Sequence, residues 1–349
     1  MLPKQWQEGK SVINSIYQLV SPHVFSVKYQ QIATEEQKVI VRPEYMAICH
    51  ADQRYYRGLR NARDLAKKLP MALIHECAGV VIKDNSNTFN VGQRVVLIPN
   101  VPGDSIKGIY ENYAPNSGFL SSGKDGFMRE LVAIDPDRVV AYDKISPTTA
   151  AITEFISVAM HAVARFEALA HEYRDDIVVF GDGSLAFVVS LVLKNAFPKS
   201  KITVVGMTPK KLDLFGFVDN TYLANELPEN YRCDHAFECC GGEGSQSAIS
   251  DIIAHIRPQG SIILMGVSEN PVPIFTRMVL EKGLTIVGSS RSGRVDFEKA
   301  IAMMSDKDIQ TRLSSIIQED EAVCTIKDIH RVFETDLTTP FKTVFKWNI

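Results

Sequence analysis

A chain of 349 residues with 45% hydrophobic and 23% charged side chains has an ordinary globular composition, enough for about two domains that each bury a core. A net charge of −3 argues against a broad nucleic-acid surface, which needs clustered Lys and Arg, and no apolar run nears the roughly 18 residues of a membrane span. Six cysteines, at 49, 77, 233, 239, 240 and 324, form no CxxC pair and no framework spacing, and polar Met1 to Ser11 is followed by no signal-peptide core. These features predict a reduced, cytoplasmic enzyme with no membrane and no nucleic-acid partner.

Residues 1 to 11 read as a loose extension. The runs INSIYQLV from Ile13, VFSVKYQQI and QKVIVRPEYMAI carry β-branched and aromatic residues as strands do, with Pro43 expected at a strand end. NARDLAKKL (61–69) reads as a short helix closed by Pro70. ECAGVVIKD and GQRVVLIPN give two more strands around a polar turn at Asp84 to Thr88. Many short strands with turn signals predict a β-barrel-like first domain. Asn100 to Gly126 is a long loop, a length that is usually functional or disordered. It is followed by strand-like MRELVAIDPDRVV and by an apolar helical run from Thr148 to Ala170.

From Asp176 the pattern changes. IVVFGDG, LAFVVSLVLKNAF, KITVVGMT, KKLDLFGFV, DHAFECCG, SQSAISDIIAHI and GSIILMGV alternate strand and helix, the signature of βαβ units and a parallel sheet. The last sixty residues return to mixed helix (DFEKAIAMM, IKDIHRVFE) and a β-rich TVFKW. Cys233, His235, Cys239 and Cys240 fall on an apolar strand and its exit and read as packing, and His161, within an apolar helical run, as packed.

Gly181-Asp182-Gly183-Ser184-Leu185-Ala186 follows the Ile177 to Phe180 strand and opens a helix. This is a GxGxxA turn. Gly181 allows the tight turn, Gly183 lets a pyrophosphate approach the backbone, and Ala186 permits close helix–strand packing. The N–H groups of Ser184, Leu185 and Ala186 then begin a helix N-terminus suited to phosphate. NAD sites carry an acid at the end of the next strand for the ribose 2′-hydroxyl. Here that strand ends Val204-Val205-Gly206, with Thr208, Lys210 and Lys211 just beyond. A missing acid beside two lysines favours the 2′-phosphate of NADPH.

Cys49-His50-Ala51-Asp52 and Ile74-His75-Glu76-Cys77-Ala78-Gly79 supply a thiol, an imidazole and carboxylates, a set that suits zinc. His75 and Glu76 are adjacent, so an extended backbone would point them apart. Only a turn or bulge lets both reach one metal. With Thr153-Glu154-Phe155-Ile156-Ser157-Val158, these segments resemble the zinc-dependent medium-chain dehydrogenase/reductase family from Ile13 onward. The resemblance implies an α/β fold, with a GroES-like β-barrel catalytic domain over 1–160 and 291–349. A Rossmann doubly wound parallel-sheet domain would span 161–290. It further implies one catalytic Zn²⁺ per chain, on Cys49, His75 and Glu76. Glu154 would lie at the fourth position, on the metal or holding its water, and Asp52 would orient His75.

There are departures. Ile74 stands where the family has glycine, a minor change at a backbone position. Ala51 stands where a hydroxyl relays the alkoxide proton, which leaves water held by Glu76 or Glu154. The Asn100–Ser122 loop lacks the four cysteines of a structural zinc site. Residues 49–56 (CHADQRYY), 121–128 (SSGKDGFM), 237–242 (FECCGG) and 288–293 (GSSRSG) resemble in particular the ribulose-5-phosphate reductases of this family. That resemblance implies NADPH-dependent reduction of D-ribulose 5-phosphate to D-ribitol 5-phosphate, for CDP-ribitol of teichoic acid or capsule. It implies a ribitol-5-phosphate cytidylyltransferase as pathway partner and a homodimer through Ile262 to Ile286. Arg54, Lys124 and Arg291 are the candidates for the substrate, with guanidinium groups best suited to its phosphate. The alternatives are an NAD-linked polyol or polyol-phosphate dehydrogenase acting oxidatively, a zinc-free quinone or enoyl reductase, and a nucleotide-sensing protein with a dead site.

Overall fold

The computed structural model describes residues 11–349. The expected loose extension therefore lies outside the described residues, except Ser11, which already opens a strand. The chain forms two compact units, one running to Ser157 and resuming at Ser292–Ile349, the other Val158–Arg291.

In the first unit, strands β1 (Ser11–Ser21) and β2 (Val24–Ala33) make an antiparallel hairpin, and β3 (Val39–Ala47) follows. Pro43 sits inside β3, not at its end. It pairs with Gly79 next to a register shift, and such a bulge tolerates a residue without an N–H. Helices α1 (His50–Tyr56) and α2 (Ala62–Lys68) come next, the second capped by the Asn61 side chain, which accepts from the Arg63 N–H at 2.9 Å. Then come β4 (Met71–Ala72), β5 (Glu76–Asp84), β6 (Arg94–Leu97), β7 (Asn100–Val101), β8 (Gly118–Phe119), β9 (Val132–Ile134) and β10 (Val139–Ala141).

The MRELVAIDPDRVV run is two short strands rather than one, because Pro136 opens a 3-10 turn between β9 and β10. The long loop is ordered by the β7–β8 pair and by Glu111, which binds Arg138 at 2.9 and 3.2 Å. The apolar run after it divides at Ile152 into α3 (Pro147–Ala151) and α4 (Thr153–Leu169).

The second unit alternates β11 (Asp176–Phe180), α5 (Ser184–Ala196), β12 (Lys201–Gly206), α6 (Pro209–Leu212) and β13 (Asn220–Leu223). It continues with β14 (His235–Glu238), α7 (Gly244–His255), β15 (Ser261–Leu264), α8 (Thr276–Lys282) and β16 (Thr285–Gly288). KKLDLFGFV is shorter as a helix than expected, since α6 passes at Asp213 into a 3-10 turn. Every pairing is parallel, in the order β13-β12-β11-β14-β15-β16. Chain direction across the sheet therefore reverses between β11 and β14, and doubly wound sheets bind ligands at the carboxyl ends of such strands. Cys233, His235, Cys239 and His161 are buried as expected, but Cys240 is exposed.

Helices α9 (Arg294–Met304) and α10 (Lys307–Ser314), strand β17 (Ile317–Val323), helix α11 (Ile326–Asp336) and strand β18 (Lys342–Trp347) return to the first unit. There β18 inserts between β17 and β3, giving the order β10-β6-β5-β3-β18-β17. Phe127, Phe333, Phe345 and Ile74 anchor the core beside it. The C-terminal strand thus completes the sheet that carries the N-terminal motifs.

Candidate active site

Two backbone features gather the metal donors. Cys49 lies between the end of β3 and α1, with the Asp52 carboxylate accepting its N–H at 3.2 Å. Ile74 is held in left-handed backbone at φ 67°, a conformation unfavourable for a β-branched residue. This bend, just before β5 begins at Glu76, is the turn that two adjacent ligands require. It also makes the absent glycine a strained position and not the minor change expected. The donor atoms of Cys49, His75 and Glu76 consequently all lie within 4.8 Å of one another.

Asp52 is fully buried and organises the group. Its Oδ1 accepts from Ser121 Oγ at 2.7 Å and from the Ile74 N–H at 3.1 Å, and lies 3.5 Å from His75 Nδ1. Burial works to raise the Asp52 carboxyl, but the His75 charge and these hydrogen bonds outweigh it and hold the group below the usual carboxylate range. Burial likewise works to lower His75, yet Asp52 and Cys49 leave it well above its ordinary value. Ser121 has a role that the sequence did not disclose.

Glu76 carries the test of metal fit. Its Oε1 accepts from Lys342 Nζ at 2.6 Å, whereas its Oε2 is buried with no hydrogen-bond partner among the described residues. An orphaned carboxylate oxygen beside a thiol and an imidazole is a donor set that zinc satisfies. Burial pushes the Glu76 carboxyl up to about 7, with Lys342 and His75 pulling down and Glu154 pushing up. Glu154, on the first turn of α4, is buried and close enough for that effect but stands outside the three donors. Lys342 was missed entirely. On β18 its ammonium also donates to the Ile48 carbonyl at 2.8 Å and lies 4.7 Å from the centre of the Phe155 ring.

In the second unit, Gly181 adopts φ 131°, and a Cβ there would come within 3.1 Å of the Cys239 backbone. Glycine is required. Among the described residues, a Cβ at Gly183 would meet nothing within 4 Å, and α5 begins there without a side-chain cap. Open space in front of the uncapped N–H groups of Ser184, Leu185 and Ala186 fits a pyrophosphate. Thr208 and Lys210 are exposed and Lys211 half-buried around the start of α6.

Comparison with known proteins agrees with this geometry. Residues 35–144 match the alcohol dehydrogenase GroES-like domain, and residues 200–306 match the zinc-binding dehydrogenase family. A ribulose-5-phosphate reductase from Streptococcus pneumoniae is 56% identical over 345 residues, spanning 98% of this chain and 100% of that protein. The chain belongs to the zinc-binding dehydrogenases.

Another ribulose-5-phosphate reductase, from Bacillus spizizenii, is 49% identical over 341 residues, 97% of this chain and 100% of that protein. The crystal structure of S. aureus TarJ in complex with NADPH matches with a TM-score of 0.86 and 42% identity, over 97% of this chain and 100% of that chain. The fold is thus the medium-chain one, a GroES-like domain with a Rossmann domain. As a zinc-binding dehydrogenase the chain is an oxidoreductase.

Within the first unit of this dehydrogenase, Arg54 lies on α1 with only 8% of its surface exposed. Burial, then the like charge of Arg60, lowers its proton affinity. The Arg60 guanidinium lies 4.2 Å from the centre of the Tyr55 ring. Lys124 is exposed, and its ammonium runs alongside Gly118. Arg291 closes the second unit in left-handed backbone at φ 58°.

Proposed function

We propose that this enzyme reduces D-ribulose 5-phosphate to D-ribitol 5-phosphate with NADPH. The observation that carries the reading is the convergence of the half-buried Cys49 thiol with the buried His75 imidazole and Glu76 carboxylate, in a chain 56% identical along its length to a ribulose-5-phosphate reductase. Cys49, His75 and Glu76 would hold Zn²⁺, which as a Lewis acid polarises a ketone oxygen. Gly181, Gly183, Ser184, Leu185 and Ala186 would hold the pyrophosphate of NADPH, the hydride donor, and Thr208, Lys210 and Lys211 its 2′-phosphate.

The chain's own residues do the rest. Asp52 fixes the His75 ring. Lys342 holds the Glu76 carboxyl toward its ionised form by charge and hydrogen bond. Ala51 has no hydroxyl to pass a proton, so Glu154, a buried acid near Glu76, supplies that step directly or through water. Arg54 binds the substrate phosphate, with Lys124 and Arg291 as further cations. Ribitol 5-phosphate would pass to a cytidylyltransferase making CDP-ribitol for teichoic acid or capsule, in the cytoplasm. A homodimer would form through the edge of the nucleotide domain from Ile262 to Ile286, a segment in which Leu280 of α8 is 80% exposed.

The test is NADPH oxidation followed spectrophotometrically with D-ribulose 5-phosphate, with and without chelator. Turnover that depends on zinc and prefers NADPH over NADH is the expected result. Preference for NADH with ribitol 5-phosphate oxidation would replace this reading with the polyol-phosphate dehydrogenase one, and no turnover with any ketose phosphate would remove the enzyme reading.

A further inference from the structure

The corner where dinucleotide folds choose between NADH and NADPH does contain a carboxylate in this protein, but it comes from the wrong strand. Asp182 lies between the two glycines of the phosphate turn. Its Oδ2 accepts from the Met207 N–H at 2.8 Å and from the Thr208 N–H at 2.7 Å, the first two backbone donors after β12. A Cβ built on Gly206, the last residue of β12, would lie 2.6 Å from Asp182 Cβ and 3.0 Å from its Oδ2. Leu212 Cδ2 closes the same space at 2.9 Å. Contacts that short are not accommodated in a packed site, so Asp182 occupies the volume that a side chain at 206 would need.

Two consequences follow. The strand-end acid that takes the ribose 2′-hydroxyl in NAD sites cannot be placed at 206 while Asp182 is present. The Met207 and Thr208 N–H groups are already used, so a 2′-phosphate must find its partners in side chains, namely Thr208, Lys210 and Lys211. Both hydrogen bonds also tie the Met207–Thr208 backbone to the turn that receives the pyrophosphate. We propose that Asp182 is the positioning residue for cofactor choice: it excludes an acid at Gly206 and holds the Met207–Thr208 backbone so that discrimination falls to the cationic side chains beyond it. The proposal rests on the NADPH reading above.

The experiment measures dissociation constants of NADPH and NADH by reduced-nicotinamide fluorescence, without turnover, for the wild type, D182A, D182N, G206D and the double variant D182A/G206D. In the wild type NADPH binds more tightly, and the opposite order would sink the NADPH reading itself. D182A should lose about tenfold in NADPH affinity and less in NADH affinity, so the preference narrows. D182N keeps an acceptor oxygen and should hold the wild-type ratio, which separates positioning from charge and from misfolding. G206D alone should weaken both cofactors. Combining it with D182A should restore NADH binding by about tenfold relative to G206D. An unchanged or increased preference for NADPH in D182A overturns the proposal, as does D182N losing the ratio alongside it. NADH binding by G206D as tight as by the double variant overturns the steric part.

Discussion

Lys342→Met is the sharpest probe of the metal-holding unit. It substitutes an apolar chain of similar length and leaves Glu76, fully buried, without the ammonium that lies 2.6 Å from its Oε1. Breaking a buried ion pair by removing one partner costs about 3–5 kcal/mol, because the surviving charge has no compensation. At about 2–4 °C per kcal/mol for a unit of this size, the melting point of chelator-treated protein should fall by roughly 6–20 °C. The pH dependence follows from Glu76. Burial already pushes it up to about 7 with Lys342 helping to pull it down, so removing Lys342 raises it further. A carboxyl whose folded value lies above its unfolded one is destabilising above the unfolded value, increasingly so as pH rises toward the folded one. The loss should therefore be small near pH 5 and grow toward pH 8. Adding Glu76→Gln to the variant should recover most of it, since the buried charge is then gone. Urea titrations of the metal-free proteins at the two pH values measure this directly. A penalty under about 1 kcal/mol at pH 8, or one that is equal at both pH values, would refute the claim that Lys342 neutralises a buried Glu76 carboxylate.

Three other outcomes are expected. Asp52→Ala releases His75, Ser121 and the strained Ile74 backbone together, and competition with a chromophoric chelator should show zinc affinity falling by about 10–100-fold. His75 is held well above 6.5 in the metal-free protein, so its contribution to stability is present below that value and lost as pH rises through the folded one. Zinc needs the neutral ring, so calorimetry in buffers of different ionisation enthalpy should show proton release and affinity that increases from pH 6 to pH 8. Arg54→Ala should raise KM for the phosphorylated ketose by about tenfold or more through the lost charge-assisted hydrogen bonds, and leave KM for NADPH unchanged. An unchanged substrate KM would remove Arg54 from the site.

The chain's local physics was legible where one element carries the whole signal. The GxGxxA turn lies between an apolar strand and an apolar helix, and β11 and α5 are placed there, with Gly181 needing its positive φ. The boundaries of β5 coincide with the ECAGVVIKD run. Element boundaries are least legible at prolines. Pro43 was tolerated within β3 because a bulge there leaves its missing N–H without consequence, and Pro136 broke a run that read as one strand. The site was half legible in the same way. Residue chemistry offered a zinc-suited set and adjacency asked for a turn or bulge at His75 and Glu76, the family resemblance implied Cys49, His75 and Glu76 as ligands, and Ile74 supplies the bend at φ 67°.

What the sequence by itself determined is therefore the set of donor chemistries and the alternation of elements, since both follow from residue type and spacing along a few consecutive residues. The tertiary structure alone decided which distant charges meet. Nothing around Lys342 distinguishes it from exposed Lys346 on the same strand; only the insertion of β18 between β17 and β3 buries the first against Glu76, 266 positions earlier. Ser121 reaches the buried Asp52 by the same kind of long return. Burial removes water as the competing partner, so such pairs are selected by strand order and packing, which no local pattern encodes.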